Sequence, residues 1–123
     1  MARPTTLGMP RIGSRRELKR AVEGYWAGSV GEAELAEVGR RLRAERWREQ
    51  AAAGIEAVPS NDFSLYDQVL DATCLFGAVP ARFGAVDPPV DLATYFRLAR
   101  GDREGDRTVA PLEMTKWFDT NYH

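Results

Sequence analysis

The chain has very little of the two residue types that most often bind metals and act as nucleophiles. Its 123 residues include one cysteine, Cys74, and one histidine, His123. A single cysteine excludes an intrachain disulfide and a structural zinc site built from several cysteines. Because Cys74 stands among apolar residues at helical spacing, a buried, inert thiol is favoured over a nucleophile paired with His123.

The chain also lacks an excess of one charge and a long apolar run. Seventeen basic and eighteen acidic residues give a formal net charge of -1. No global field therefore attracts nucleic acid or an anionic membrane, and any anion site must be local. No run approaches the length of a membrane span, and the N-terminus has no signal-peptide pattern. We expect a globular protein in the reducing cytoplasm.

Residues 13–20, GSRRELKR, place cations at a predicted helix start. Ser14 is the predicted N-cap and Glu17 its capping-box partner, which puts Arg15 and Arg16 in the first helical turn. The helix macrodipole is positive there, so each cation costs about 0.3–1 kcal/mol unless an anion lies beside it. The residues alone leave two interpretations open: a solvated helix start paired with Glu17 or Glu23, or a site for an unidentified anion.

Periodicity and turn residues predict an alternation of strands and helices. Strands are predicted over residues 6–13, 55–58 and 114–118, and helices over 14–28, 29–53, 65–77 and 92–100. Residues 101–111 are polar and contain glycine, which predicts a mobile surface loop. The order is typical of an α/β protein with parallel strands. Because three such strands leave an incomplete sheet, we interpret the chain as the N-terminal piece of a longer protein.

The predicted helices have apolar stripes that we expect to face the core. The residues expected inward are Leu18, Val22 and Tyr25 in the first helix, Leu35, Val38, Leu42 and Trp47 in the second, and Leu65, Val69, Leu70, Thr73 and Phe76 in the third. The arginines of the second helix alternate with glutamates at helical neighbour spacing. This pattern favours a solvated face with intrahelical ion pairs over a track for phosphates.

Five segments, in this order along the chain, resemble one family. They are TLGMPRIGSRRELKRAVEGYWAG, SNDFSLYDQVLDAT, GAVPARFG, YFRLARG and EMTKWFDTNYH. They resemble the N-terminal region of the cobalamin-independent methionine synthases, also called 5-methyltetrahydropteroyltriglutamate–homocysteine methyltransferases. The resemblance implies two facing (βα)8 barrels. Because one such barrel takes about 250 residues, residues 1–123 are expected to be the first strands and helices of the N-terminal, folate-tail-binding barrel, a partial TIM-type barrel.

The resemblance also implies an activity. It is the transfer of a methyl group from 5-methyltetrahydropteroyltri-L-glutamate to homocysteine, which forms methionine. In the family, zinc in the C-terminal barrel activates the homocysteine thiolate. That barrel is not in this chain, so we expect no catalytic residue, metal or cofactor here and no activity of the chain alone.

The expected partners are the polyglutamyl folate and the remainder of the enzyme. An alternative remains open, in which the chain is a stand-alone, non-catalytic binding or assembly module, for example a domain-swapped oligomer that covers open strand edges.

The family pattern assigns residues to the folate tail. The run RELK implies Arg16, Glu17, Leu18 and Lys19, and two further motifs imply Lys116 and Asn121. A glutamate tail presents several carboxylates, of which Arg16 can bind one in bidentate geometry and Lys19 another. Backbone N–H groups of the first helical turn are expected to add donors, and Lys116 is expected at the ligand-binding end of a barrel strand.

Overall fold

The computed structural model describes residues 2–104 and 107–112, and the chain divides into two compact units between Leu65 and Tyr66. The first unit contains α1, Glu17–Trp26, and α2, Glu32–Ala52. The second contains α3, Gln68–Leu75, a short 3-10 turn, Ala81–Phe83, and α4, Leu92–Arg100. It also contains strands β1, Asp102–Glu104, and β2, Arg107–Val109. The described residues are therefore mixed, with many helices and little sheet. None of their helices is long and apolar enough to cross a membrane.

The core of the first unit lies between α1 and α2. Its buried apolar residues are Leu18, Ala21 and Val22 from α1 and Leu35 and Leu42 from α2. These include four of the predicted inward residues. Trp47 is an exception: it is 40% exposed, and its Nε1 donates to the carbonyl of Pro59 at 3.2 Å.

The charged face of α2 is held by ion pairs between helical neighbours. Arg41 contacts Glu45 at 3.2 Å and Arg46 contacts Glu49 at 2.7 Å. Arg40 binds Glu37, with its Nε 2.7 Å from Oε2. The predicted solvated face with intrahelical pairs is therefore confirmed.

The strand predicted over residues 6–13 is wrong. The backbone turns at Gly8 and Gly13, whose φ angles are 128° and 88°, so the segment cannot extend along a neighbour. It is held instead by other bonds: Met9 N donates to the Asp62 carboxylate at 3.0 Å, and Arg11 Nη1 donates to the Leu65 carbonyl at 3.2 Å.

The segments around the first two predicted strands are joined by a single parallel β-bridge. It is an isolated bridge between Thr5 and Ala57. The strand predicted over residues 55–58 is thus reduced to a single bridged residue. The third predicted strand, residues 114–118, lies outside the described residues.

In the second unit, aspartates begin both helices. Asp67 caps α3, accepting from Leu70 N at 2.8 Å. Asp91 caps α4, accepting from Thr94 N at 2.6 Å. The Tyr95 hydroxyl donates to Asp71 Oδ1 at 2.7 Å and so links α4 to α3.

The loop predicted over residues 101–111 is wrong, because β1 and β2 form an antiparallel hairpin. Asp102 pairs with Val109 and Arg103 with Thr108. Gly101, with a φ of 78°, ends α4, and a Cβ there would lie 2.5 Å from the Val109 carbonyl oxygen. The absence of a side chain at Gly101 therefore lets the hairpin return closely against the end of the helix.

The predicted inward face of α3 is also largely wrong. Leu70 is buried, but Val69 is 71% exposed and Phe76 80% exposed. Leu75, the last residue of α3, is 75% exposed as well. Among the described residues of α3, only Leu70 is buried. The apolar periodicity of the sequence therefore did not determine which side chains of this helix are buried.

Candidate ligand-binding site

The start of α1 differs from the predicted capping box. Arg16, not Ser14, precedes the helix, and its backbone is left-handed, with a φ of 62° and a ψ of 36°. It is the one non-glycine residue with a positive φ in the part of the chain that the structure describes. Arg16 N donates to the Gly13 carbonyl at 3.1 Å, and the Arg16 carbonyl accepts from Arg20 N at 3.1 Å.

The Glu17 side chain turns back toward the preceding residues. Its Oε2 accepts from Arg15 N at 2.9 Å, and its Oε1 accepts from Arg15 Nε at 3.4 Å. The hydrogen bond from its own backbone N–H and then those from Arg15 lower the pKa of the Glu17 carboxyl. Glu17 therefore remains ionised beside Arg15, where its own negative charge does not favour a second anion.

Gly13 makes this arrangement possible. A Cβ at Gly13 would lie 2.2 Å from Glu17 Oε2, which is closer than any real contact. The glycine thus provides both the positive φ and the space that the Glu17 carboxylate occupies. Sequence reasoning treated Gly13 only as the end of a strand and missed this role.

The cations of GSRRELKR differ in their partners. Arg15 pairs with Glu17, and Lys19 Nζ lies 3.1 Å from Glu23 Oε1. Arg16 and Arg20 are exposed, and neither forms an ion pair with any residue that the structure describes. Among the assigned tail residues that the structure describes, Arg16 is therefore the cation without an ion-pair partner.

The other assigned residues have different surroundings. Leu18 is fully buried in the core of the first unit, so its side chain can support the helix start but cannot contact a ligand from solvent. Its backbone N–H donates a hydrogen bond to the Ile12 carbonyl at 3.0 Å. Lys116 and Asn121 lie outside the described residues, so their grouping with Arg16 stays a prediction.

The described residues do not fit a zinc centre. No group of three or more histidine, cysteine, aspartate or glutamate side chains that could hold a metal exists within residues 2–104 and 107–112. Cys74 is partly buried, and burial, followed by the charge of Asp71, raises the pKa of its thiol. A raised pKa disfavours the thiolate and so agrees with an inert cysteine.

The chain can now be compared with known proteins. Residues 3–123 match the family described as cobalamin-independent synthase, N-terminal domain. The chain therefore belongs to the cobalamin-independent synthase family, within its N-terminal domain. The resemblance found in the motifs is confirmed.

Individual relatives carry the name 5-methyltetrahydropteroyltriglutamate–homocysteine methyltransferase. The relative from Salinibacter ruber is 56% identical over 128 residues, covering 100% of this chain and 17% of the relative. The relative from Nitratidesulfovibrio vulgaris is 55% identical over 121 residues, covering 98% of this chain and 15% of the relative. For Parvibaculum lavamentivorans the identity is 55% over 123 residues, covering 100% of this chain and 16% of the relative. The chain thus spans about a sixth of the length of these relatives.

Proposed function

We propose that the chain contributes polyglutamyl-folate binding to a methyltransferase that converts homocysteine to methionine with 5-methyltetrahydropteroyltri-L-glutamate. The names of the relatives, which include both the triglutamate folate and homocysteine, support this substrate pair. The observation that carries the proposal for this segment is Arg16, an exposed arginine without an ion pair among the described residues, held at the start of α1.

The backbone of Arg16 supports a binding role. A left-handed conformation costs a non-glycine residue roughly 1–2 kcal/mol, and such strained residues cluster at functional sites. Hydrogen bonds to Gly13 and Arg20 hold Arg16 in this conformation from both sides. A guanidinium on a fixed backbone loses less conformational freedom when it binds a carboxylate in bidentate geometry.

The helix N–H groups contribute less than the sequence suggested. The backbone N–H of Leu18 donates to the Ile12 carbonyl, and the backbone N–H of Glu17 donates to the Glu17 side-chain carboxylate. The expectation that first-turn N–H groups add donors is therefore wrong for these two residues. Side-chain cations are left as the main recognition groups for a carboxylate.

We also propose that residues 1–123 are the first part of a (βα)8 barrel in the complete domain. The parallel bridge between Thr5 and Ala57 has α1 and α2 between its two residues. A helical connection between two parallel strands is the repeating unit of such a barrel. In this proposal Lys19, Lys116 and Asn121 also bind the glutamate tail.

The chemistry of methyl transfer lies outside this chain in our proposal. The described residues provide no zinc site, and no step of the reaction is assigned to them. Homocysteine with zinc, which activates its thiolate when bound, would be held by the remainder of the enzyme. The purified chain with zinc, homocysteine and triglutamate folate is therefore expected to form no methionine, and methionine formation would contradict this assignment.

A second candidate function is a binding or assembly module that associates with another copy of itself. The exposed residues Val69, Leu75 and Phe76 of the α3 region favour association with further polypeptide. The molar mass of the chain in solution separates this candidate from the first, because a stable dimer supports self-association.

The proposal is tested by calorimetry with 5-methyltetrahydrofolates that carry one, two or three glutamates. The affinity of the unmodified chain is expected to rise with tail length. Arg16→Ala is expected to remove most of this rise, whereas Arg48→Ala, at an exposed arginine on α2, is expected to leave it intact. Lys116→Ala is expected to behave like Arg16→Ala. Equal losses for monoglutamate and triglutamate, or no loss in Arg16→Ala, would remove the tail-binding role.

A further inference from the structure

Residues 8–13, the lead-in segment, provide hydrogen-bond acceptors for the start of α1. Arg16 N donates to the Gly13 carbonyl at 3.1 Å, and Leu18 N donates to the Ile12 carbonyl at 3.0 Å. The lead-in segment thus bonds both the residue that precedes the helix and the second residue of the helix. The left-handed backbone of Arg16 therefore depends on where Ile12 and Gly13 lie.

Side chains on both sides hold the lead-in segment against the end of the first unit. Met9 N donates to Asp62 Oδ2 at 3.0 Å. Arg11 Nη1 donates to the Leu65 carbonyl at 3.2 Å and to the Ser64 carbonyl at 3.4 Å. Within the residues that the structure describes, the lead-in segment forms no strand. Side-chain hydrogen bonds therefore replace the ladder that a strand would have.

Gly8 gives Asp62 the space to reach the backbone of Met9. A Cβ at Gly8, whose φ is 128°, would lie 2.5 Å from Asp62 Oδ2 and 2.6 Å from Asp62 Cβ. The carboxylate is therefore packed closely against this turn as well as hydrogen-bonded to it. Asparagine has the same shape and keeps one oxygen acceptor, so it is the replacement that best preserves the contact.

We propose that Asp62 is a positioning residue for the glutamate tail, because it holds the lead-in segment, which in turn holds Arg16. The inference rests on the proposed function, since it requires Arg16 to bind the tail. Asp62 does not bind the tail itself: its carboxylate would repel those of a glutamate chain, and its Oδ2 accepts from Met9 N. The family pattern assigned no tail residue in the SNDFSLYDQVLDAT motif, to which Asp62 belongs.

The first measurement is calorimetry with monoglutamate and triglutamate 5-methyltetrahydrofolate. Asp62→Ala is expected to weaken triglutamate binding roughly two- to fivefold, the range for the exposed ion pair that Arg16 would form, and to leave monoglutamate binding unchanged. Asp62→Asn is expected to restore most of the loss, because the amide oxygen can still accept from Met9 N. The control Glu34→Ala, which removes an exposed carboxylate from α2, is expected to match the unmodified chain.

A double-mutant cycle with Arg16→Ala separates positioning from general support of the fold. If Asp62 acts through Arg16, Asp62→Ala is expected to cause no further loss of triglutamate binding in the Arg16→Ala chain. Additive losses would refute this path. Circular dichroism reports whether each variant is folded. If Asp62→Ala does not fold, Arg11→Ala takes its place in the cycle, because it removes the other arm of the same contact.

The outcomes separate this inference from the function on which it rests. If Arg16→Ala weakens triglutamate binding while Asp62→Ala matches Glu34→Ala, the role of Asp62 is refuted and the proposed tail site stands. Equal losses of monoglutamate and triglutamate binding in Asp62→Ala, or stronger triglutamate binding, would also refute the positioning role. If the effect of Arg16→Ala does not depend on tail length, the proposed function fails and the inference fails with it.

Discussion

Gly13→Ala tests how the start of α1 is held. Gly13 has a φ of 88°, and an alanine there would place its Cβ 2.2 Å from Glu17 Oε2 and 3.2 Å from Leu42 Cδ2. The carboxylate has to move, and it gives up its bond to Arg15 N when it does. Leu42, which is buried in the core of the first unit, has to shift as well.

The magnitude follows from two separate costs. A left-handed alanine costs roughly 1–2 kcal/mol, and overpacking against a core side chain costs about 1–3 kcal/mol. The smaller entropy of the unfolded alanine chain offsets roughly 0.4–1 kcal/mol. We therefore expect Gly13→Ala to lower the free energy of unfolding by about 1–5 kcal/mol.

Gly54→Ala is the matched control. Gly54 has a φ of 82°, but nothing lies within 4 Å of the Cβ that an alanine would add. Only the backbone cost applies, so the expected loss is about 1 kcal/mol. The difference between the two variants thus isolates the contact with Glu17 and Leu42.

The assay is urea unfolding followed by circular dichroism and by tryptophan fluorescence. Two of the three tryptophans, Trp26 and Trp47, lie in the first unit, so the fluorescence change reports mainly on the unit that contains both glycines. Triglutamate binding is expected to fall in Gly13→Ala and to be unchanged in Gly54→Ala, because only the first variant disturbs Arg16. Equal stability of the two variants would refute the proposed packing of Glu17 against Gly13.

Four further predictions concern single side chains. Leu18→Ala removes a fully buried side chain and is expected to cost about 2–5 kcal/mol of unfolding free energy; in calorimetry it should reduce monoglutamate and triglutamate binding together, and a loss confined to triglutamate would contradict its core role. Asp67→Ala removes the cap of α3 and is expected to cost about 1 kcal/mol in urea unfolding, with Asp67→Asn as the control that keeps an acceptor. The hydrogen bond from Thr94 N–H lowers the pKa of Asp91, so the stability that Asp91 contributes should be present above its unfolded pKa and lost as the pH falls through its folded pKa. Asp91→Asn should flatten the dependence of the unfolding free energy on acid pH, and an unchanged dependence would contradict this role. Burial and the charge of Asp71 raise the pKa of Cys74, so alkylation by iodoacetamide should require a higher pH than for free cysteine, and Asp71→Asn should move the midpoint down rather than up.

Local signals in the sequence predicted most of the helices. The helix predicted over residues 92–100 from periodicity and turn residues is confirmed by α4, Leu92–Arg100. The ion-paired face of α2 was predicted from glutamates and arginines three and four residues apart. These features depend on neighbours along the chain, so the sequence contains all the information that they need.

Predictions that depended on distant partners were less successful. Residues 6–13 are apolar and bounded by glycines, but they bond to Asp62 and Leu65 through single contacts instead of a strand ladder. Residues 101–111 form a hairpin because Gly101 allows close packing of β2 on the end of α4. Neither outcome can be derived from composition, since each is decided by what the segment meets in space.

The proposed binding residues show the same difference between local and distant determinants. The family pattern assigned Arg16 to the glutamate tail, and the carboxylates of such a tail explain why an arginine suits that position, since a guanidinium can bind a carboxylate in bidentate geometry. The pattern could not indicate that Glu23 forms its ion pair with Lys19, whereas Arg20 has no ion pair among the described residues. Side-chain geometry decides which of two neighbouring cations a carboxylate binds.

The sequence by itself determined the family, the helical segments and the cation-rich start of α1, because these depend on residue identity and short spacing. Only the tertiary structure decided the left-handed backbone of Arg16, the turn of Glu17 over Gly13 and the burial of Leu18. The reason is physical: α1 packs one side against α2, and that packing fixes which residues of GSRRELKR support the fold and which remain available to an anion.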